Sequence, residues 1–267
     1  MKRTIFTLAA LLLSPLAALD AADSFLVEDG QPRAEIVISD KPQRSTRLAA
    51  QELQDQIVKI SGARLPIVTQ PTSGAVHVFV GQSGHTERLK VTAEGLKEGA
   101  FRMVSGADWM ALIGNDTEFT PIEPWAKNNA EIVNGKAQAE WEKITGATWG
   151  LPNILMYKSR FSLPGDIGRP TTQAAEKAVP LQLWDYDERG SFNAVIGFLS
   201  RLGARWYLPG ELGEVLPDLK TIPLPKLDET VRPDFAQRRF NYHGGVHGRD
   251  TSMWFMRLGV RDPYGIQ

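Results

Sequence analysis

Two histidines four residues apart, His243 and His247 in the run HGGVHGRD, have the spacing of a metal-ligand pair. Imidazoles at i and i+4 can chelate a divalent cation when a helix stacks them on one face and a third ligand closes the site. Gly244 and Gly245 oppose a helix here, and Asp250 is the one further ligand nearby. The balance favours exposed loop imidazoles, or side chains that hydrogen-bond a hydroxylated ligand from the carboxyl end of a strand. Asp185, Asp187 and Glu188 supply oxygen ligands of the kind calcium takes, without the full EF-hand loop, so a solvated acidic turn is expected. Gly81-Gln82-Ser83-Gly84 follows an apolar run as a phosphate loop would. It lacks both GxGxxG and the GK[ST] ending and reads as a turn. The chain has no GxSxG elbow and no HExxH. It has no cysteine, which removes thiolate nucleophiles, disulfides and cysteine metal sites.

The elements that must position these residues fall into two blocks. In residues 34–113, Glu35 to Ile38 alternates as a strand, and Pro42 opens a helix carrying Leu48, Ala49, Leu53, Ile57 and Ile60 at helical spacing up to Gly62. Leu65–Val68, Val76–Val80, Phe101–Val104 and Trp109–Ile113 read as strands, the last two joined by a Ser105-Gly106-Ala107-Asp108 turn. In the second block, Ser191 is the expected N-cap of a helix with Phe192, Val195, Ile196, Leu199 and Leu202 on one face. Gly203 stops that helix. Ala204–Leu208 is an expected strand of the same sheet, turned by Pro209-Gly210. The pattern predicts an α/β fold, a mixed sheet with helices packed on it.

Residues 117–183 separate the blocks as a proline-punctuated insertion, with a short helix expected over Ala137–Ile144. Trp125, Trp141 and Trp149 in it could stack on pyranose rings, but the favoured reading is a small satellite core. Pro223, Pro225 and Pro233 mark residues 218–234 as an extended linker. Asp250–Leu258 reads as a further helix.

The 267 residues carry a formal net charge of −1, so nothing in the charge balance draws the chain to nucleic acid or to an anionic membrane. Lys2 and Arg3, the apolar run Ile5–Leu13 and the small residues Ala17, Ala18, Ala21 and Ala22 make a secretory signal peptide, cleaved between Ala18 and Ala22. The run is shorter than the roughly 20 apolar residues a span needs, and Ser14-Pro15 interrupts it. A soluble protein in the periplasm or the medium, with no membrane span, is expected.

FLSRLGARWYLPGELGEVLP and AAQELQDQIVKISGARLPIV resemble the two ends of the N-terminal α/β domain that precedes the catalytic barrel of α-glucuronidases and β-hexosaminidase-type glycoside hydrolases. The resemblance implies an accessory, non-catalytic domain over residues 23–217, with the start of a TIM-type barrel over 235–267. RPDFAQRRF resembles the approach to the first barrel strand, where the family's arginine binds substrate hydroxyls. Arg238 takes that place, with Arg239 where the family has glycine. Arg238, His243 and His247 are thus the candidate substrate-binding residues. The two carboxylates that glycoside hydrolysis normally requires come, in that family, from later barrel strands, so no catalytic residue, metal or cofactor is expected within this chain. A barrel takes about 250 residues, and the chain reads as a fragment of a longer hydrolase. The implied partner is a carbohydrate, a polysaccharide or glycoconjugate. The competing reading is a non-catalytic carbohydrate-binding or interaction module.

Overall fold

A computed structural model of the chain describes residues 24–118, 128–146, 187–238 and 249–261, with Pro124, Ala126, Thr148 and Leu183. A hairpin of β1 (Phe25–Glu28) and β2 (Gln31–Pro32) leads into β3 (Ala34–Val37), helix α1 (Arg44–Ser61), β4 (Ile67–Val68) and β5 (Val76–Val80). Helix α2 (Gly84–Arg88), β6 (Phe101–Ser105) and β7 (Trp109–Gly114) complete the first block. Helices α3 (Asn129–Val133) and α4 (Lys136–Thr145) belong to the insertion. Then come α5 (Gly190–Leu202), β8 (Arg205–Trp206), β9 (Glu214–Val215), β10 (Ile222–Pro223), β11 (Asp228–Val231) and α6 (Arg249–Arg257).

The main sheet is mixed, in the order β11-β6-β7-β5-β3-β4. β4, β3, β5 and β7 run parallel, and β6 and β11 are antiparallel at the other edge. Strand alternation divides the core. Ile36, Val78, Met110 and Leu112 face α1 and α5, whereas Val37, Phe79, Ala111 and Ile113 form a smaller cluster with Val91 on the opposite face. Burial on both faces is the habit of parallel strands. Leu53, Ile57 and Ile60 of α1 and Phe192, Val195, Phe198 and Leu199 of α5 are buried against the first face. Gly62 and Gly203 end α1 and α5 in the left-handed conformation the sequence requires, at φ 84° and 108°.

Four sequence expectations change. Ser191 does not cap α5. The N-cap is Arg189, and the buried Ser191 hydroxyl accepts from the Gly114 backbone N–H at 3.0 Å, tying β7 to the helix. Gly114 and Gly190 cross so closely there that a methyl group at Gly114 would lie 2.3 Å from the Gly190 carbonyl carbon. Arg205–Trp206 does not join the main sheet but pairs with β9 in a separate ribbon. The stretch read as a linker is structured: β10 pairs with β1, and β11 forms the sheet's edge beside β6. Nor does α6 stand apart. Met253, Trp254, Phe255 and Met256 are buried in the same core as α1 and α5, and Trp254 Nε1 donates to the Trp206 carbonyl at 3.1 Å.

The expected 137–144 helix is α4. Its Trp141 is half-buried, and no residue of α4 is fully buried. Trp125 and Trp149 lie outside the described residues. No helix among the described residues is long and apolar enough to cross a membrane.

Candidate functional site

β3, β5 and β7 are parallel neighbours, so the loops that follow them meet at one edge of the sheet. Open α/β sheets place ligands at that carboxyl edge. Here it holds a cleft of about 590 Å³, within the 300–1,000 Å³ range of small-molecule sites. Ser39, Lys41 and Gln43 line it from the loop after β3. Gln82 and Glu87 line it from the end of β5 and from α2, and Asn115 to Glu118 from the loop after β7.

Asp116 anchors the floor. Its carboxylate accepts from the Ser191 backbone N–H at 3.0 Å and from the Thr46 hydroxyl at 3.1 Å, so one side chain holds the first turns of α1 and α5 together. A carboxylate at two helix N-termini is favourably placed. Desolvation by burial nevertheless outweighs these bonds and raises its pKa from 3.8 to about 6. The linkage sign follows. The folded state holds this proton more tightly than the unfolded chain, so the contribution of Asp116 to stability falls as pH rises from about 4 to about 6. The shift of roughly two pH units corresponds to about 3 kcal/mol at most. Asp116→Asn should therefore gain on the parent by about 2–3 kcal/mol between pH 4 and pH 7 in urea unfolding. Parallel pH profiles for the two proteins would refute this.

The other carboxylates of the cleft are satisfied from within. Glu118 accepts from the Arg44 backbone N–H at 2.7 Å, and Glu87 accepts from Gln82 Nε2 at 3.0 Å. The Gln82 amide oxygen accepts from Ala93 N–H at 2.9 Å. The Arg44 guanidinium grips both oxygens of the buried Asp187, at 3.1 and 2.7 Å. Asp187 is therefore no solvated turn residue. Glu188 is likewise engaged, by Arg261 at 2.5 Å, and Asp185 lies outside the described residues. Desolvated carboxylates at these positions must be paired, and the arginines do that. Ser83, in the expected turn, caps α2 through a reciprocal pair with Thr86. By contrast the side chains of Ser39, Lys41 and Gln43 make no hydrogen bond among the described residues. Asn115 uses only its oxygen, accepting from Thr117 Oγ1 at 2.9 Å.

Of the sequence-derived site residues, Arg238 lies away from this cleft. Arg238 donates from Nε to the Gly259 carbonyl at 2.8 Å, from Nη1 to Phe235 at 2.7 Å and from Nη2 to Glu98 at 3.1 Å. Its backbone bridges Arg261. Here the guanidinium pins three chain segments together. His243 and His247 fall outside the described residues. Among the described residues no group of three His, Cys, Asp or Glu side chains could hold a metal ion.

A second polar centre lies beneath α6. Arg257 donates from Nε to Glu52 Oε1 at 2.8 Å and approaches Glu214 at 3.7 Å, with its guanidinium 5.1 Å from the centre of the Trp206 ring. Glu214 also accepts from Trp206 Nε1 at 3.0 Å, Gln56 Nε2 at 2.9 Å and Lys59 Nζ at 2.5 Å. This explains why an aromatic-rich strand and a Gly-Glu pair occur together in RWYLPGELGE. The one sequence signal for the centre was Glu52, a charge beside Leu53 on a helix that must bury that side.

No protein-family model matches the chain, and no curated protein sequence matches it.

Proposed function

We propose that this chain is part of an exported glycoside-hydrolase-type protein acting on polysaccharide or glycoconjugate chains, and that its α/β domain is accessory and non-catalytic. The observation that carries the reading is the seating of α6. The resemblance assigns this segment to the start of a barrel, and it packs through Trp254 and Arg257 on the core of the preceding domain. An accessory domain that braces a following unit needs a rigid joint of that kind. The described carboxylates support the non-catalytic part. Asp116, Asp187, Glu52 and Glu214 are each committed to protein donors, whereas glycoside hydrolysis needs an acid and a nucleophile or base presented to a sugar.

The test is an assay of aryl glycosides and aldouronic acids with purified residues 23–267 and with the product of the complete reading frame. Turnover is expected from the second and none above a mock preparation from the first. Turnover by residues 23–267 would overturn the accessory role. Inactivity of both would overturn the hydrolase reading.

A further inference from the structure

We propose that the cleft at the carboxyl ends of β3, β5 and β7 binds a small, neutral, polyhydroxylated ligand, one sugar ring or a polyol of that size, through Lys41, Gln43 and Asn115. This goes beyond the accessory reading and does not depend on it, because the cleft lies in the α/β domain itself.

Three features of the lining select the ligand. The first is which groups are free. The Lys41 ammonium, the Gln43 amide and the Asn115 amide N–H groups are without partners among the described residues, and the Ser39 hydroxyl lies beside them. The residues that carry these donors line one cleft large enough for a ring, with Lys41 and Gln43 exposed at its rim. The second is charge. Among the described residues Lys41 is the one cationic side chain on the wall, facing Glu87, Asp116 and Glu118. A phosphate or carboxylate ligand would bring like charge against Glu87 and Asp116, with Glu118 paired to the Arg44 guanidinium at 3.7 Å, which costs affinity. A neutral hydroxyl can accept from Lys41, Gln43 or Asn115 and donate to lone pairs the carboxylates have left, since each carboxylate has about four acceptor sites. The third is the scarcity of apolar wall. Ala93 is the sole apolar side chain among the described residues that line the cleft, so they form no slot for a nucleobase, an acyl chain or an aromatic ring. A ligand that is polar on all sides and uncharged remains.

The test uses residues 23–267 and saturation-transfer NMR with titration. The probes are a panel of methyl glycosides of neutral hexoses and pentoses, with D-glucuronate and inorganic phosphate as anionic controls. At least one neutral glycoside should bind saturably. D-Glucuronate, a ring of the same size carrying a carboxylate, should bind about tenfold or more weakly, and phosphate should not compete. The double variant Lys41→Met, Gln43→Leu should lose about tenfold or more in affinity for the neutral ring while melting as the parent does, since neither side chain is bonded to the described residues. If that variant folds poorly, Asn115→Asp serves instead. It keeps the acceptor for Thr117 and replaces the amide donors with a carboxylate, which offers a hydroxyl no N–H. No binding by any neutral glycoside overturns the proposal. So does tighter binding of glucuronate or phosphate, which would make the cleft an anion site. Unchanged affinity in the cleft variants would also overturn it, by placing the ring elsewhere.

Discussion

Leu199→Asp should abolish cooperative folding of the domain. Leu199 lies mid-way along α5 with no exposed surface, inside the core that α5 shares with α1 and the sheet. Deleting a leucine side chain at such a position costs roughly 2–5 kcal/mol through lost transfer energy and the cavity left behind. Aspartate adds the cost of burying a carboxyl with no partner, even if it takes up a proton to avoid charge. Domains of this kind hold about 5–15 kcal/mol in total, so the substitution removes most of what is available. Thermal unfolding followed by circular dichroism is the measurement. Leu212→Asp is the control, because Leu212 is 93% exposed and the same chemistry there should leave the melt unchanged. A native-like transition for Leu199→Asp would show that α5 is not the buried element its apolar face indicates.

How far the sequence reveals this fold depends on what each element uses to hold its place. α1 and α5 are legible because their burial is local and periodic: Leu53, Ile57 and Ile60, or Phe192, Val195 and Leu199, repeat at helical spacing and end at a glycine. β11 is not legible. Asp228-Glu229-Thr230-Val231 is mostly exposed and charged, and it holds the sheet edge through backbone pairing with β6, which leaves no alternation to read. The prolines around it suggest a linker, and in an edge strand they are tolerated. The cleft was hidden for another reason. Asn115-Asp116-Thr117-Glu118 reads as an ordinary polar loop. It becomes a wall only because β3, β5 and β7 are parallel neighbours, a long-range pairing that no local pattern encodes. The Arg44–Asp187 pair, 143 residues apart in the chain, is the same case. Ser191 shows the converse error. Its residue type and place fit an N-cap, but the close crossing of Gly114 and Gly190 brings a strand N–H to its hydroxyl instead.

Arg257→Ala should destabilise the protein by about 3–5 kcal/mol at pH 7, the usual consequence of removing one partner from a buried ion pair. Glu52 and Glu214 have side chains only 6% and 8% exposed, and Arg257 lies between them at 13%. Burial pushes the Glu52 carboxyl above its ordinary value, and the charge and hydrogen bond of Arg257 do most to hold it down. Burial acts on Glu214 in the same direction, but hydrogen bonds from Lys59, Gln56 and Trp206, with the Lys59 charge, carry it below the ordinary value. Without Arg257, Glu214 keeps those donors, whereas Glu52 keeps only the Gln56 amide and faces a like charge. The deficit should therefore shrink on acidification. A Glu52 carboxyl raised further in the folded state takes up a proton there before it does in the unfolded chain, so the variant recovers stability relative to the parent as pH falls from 7 toward 5. The double variant Glu52→Gln, Arg257→Met should regain most of the loss at pH 7, because it removes both charges and keeps a long side chain over Trp206. Urea unfolding of the three proteins at pH 7 and pH 5 decides the matter. A loss below about 1 kcal/mol for Arg257→Ala, the size of a surface pair, would show that water reaches Glu52 and that α6 is seated by Trp254 and Phe255 alone.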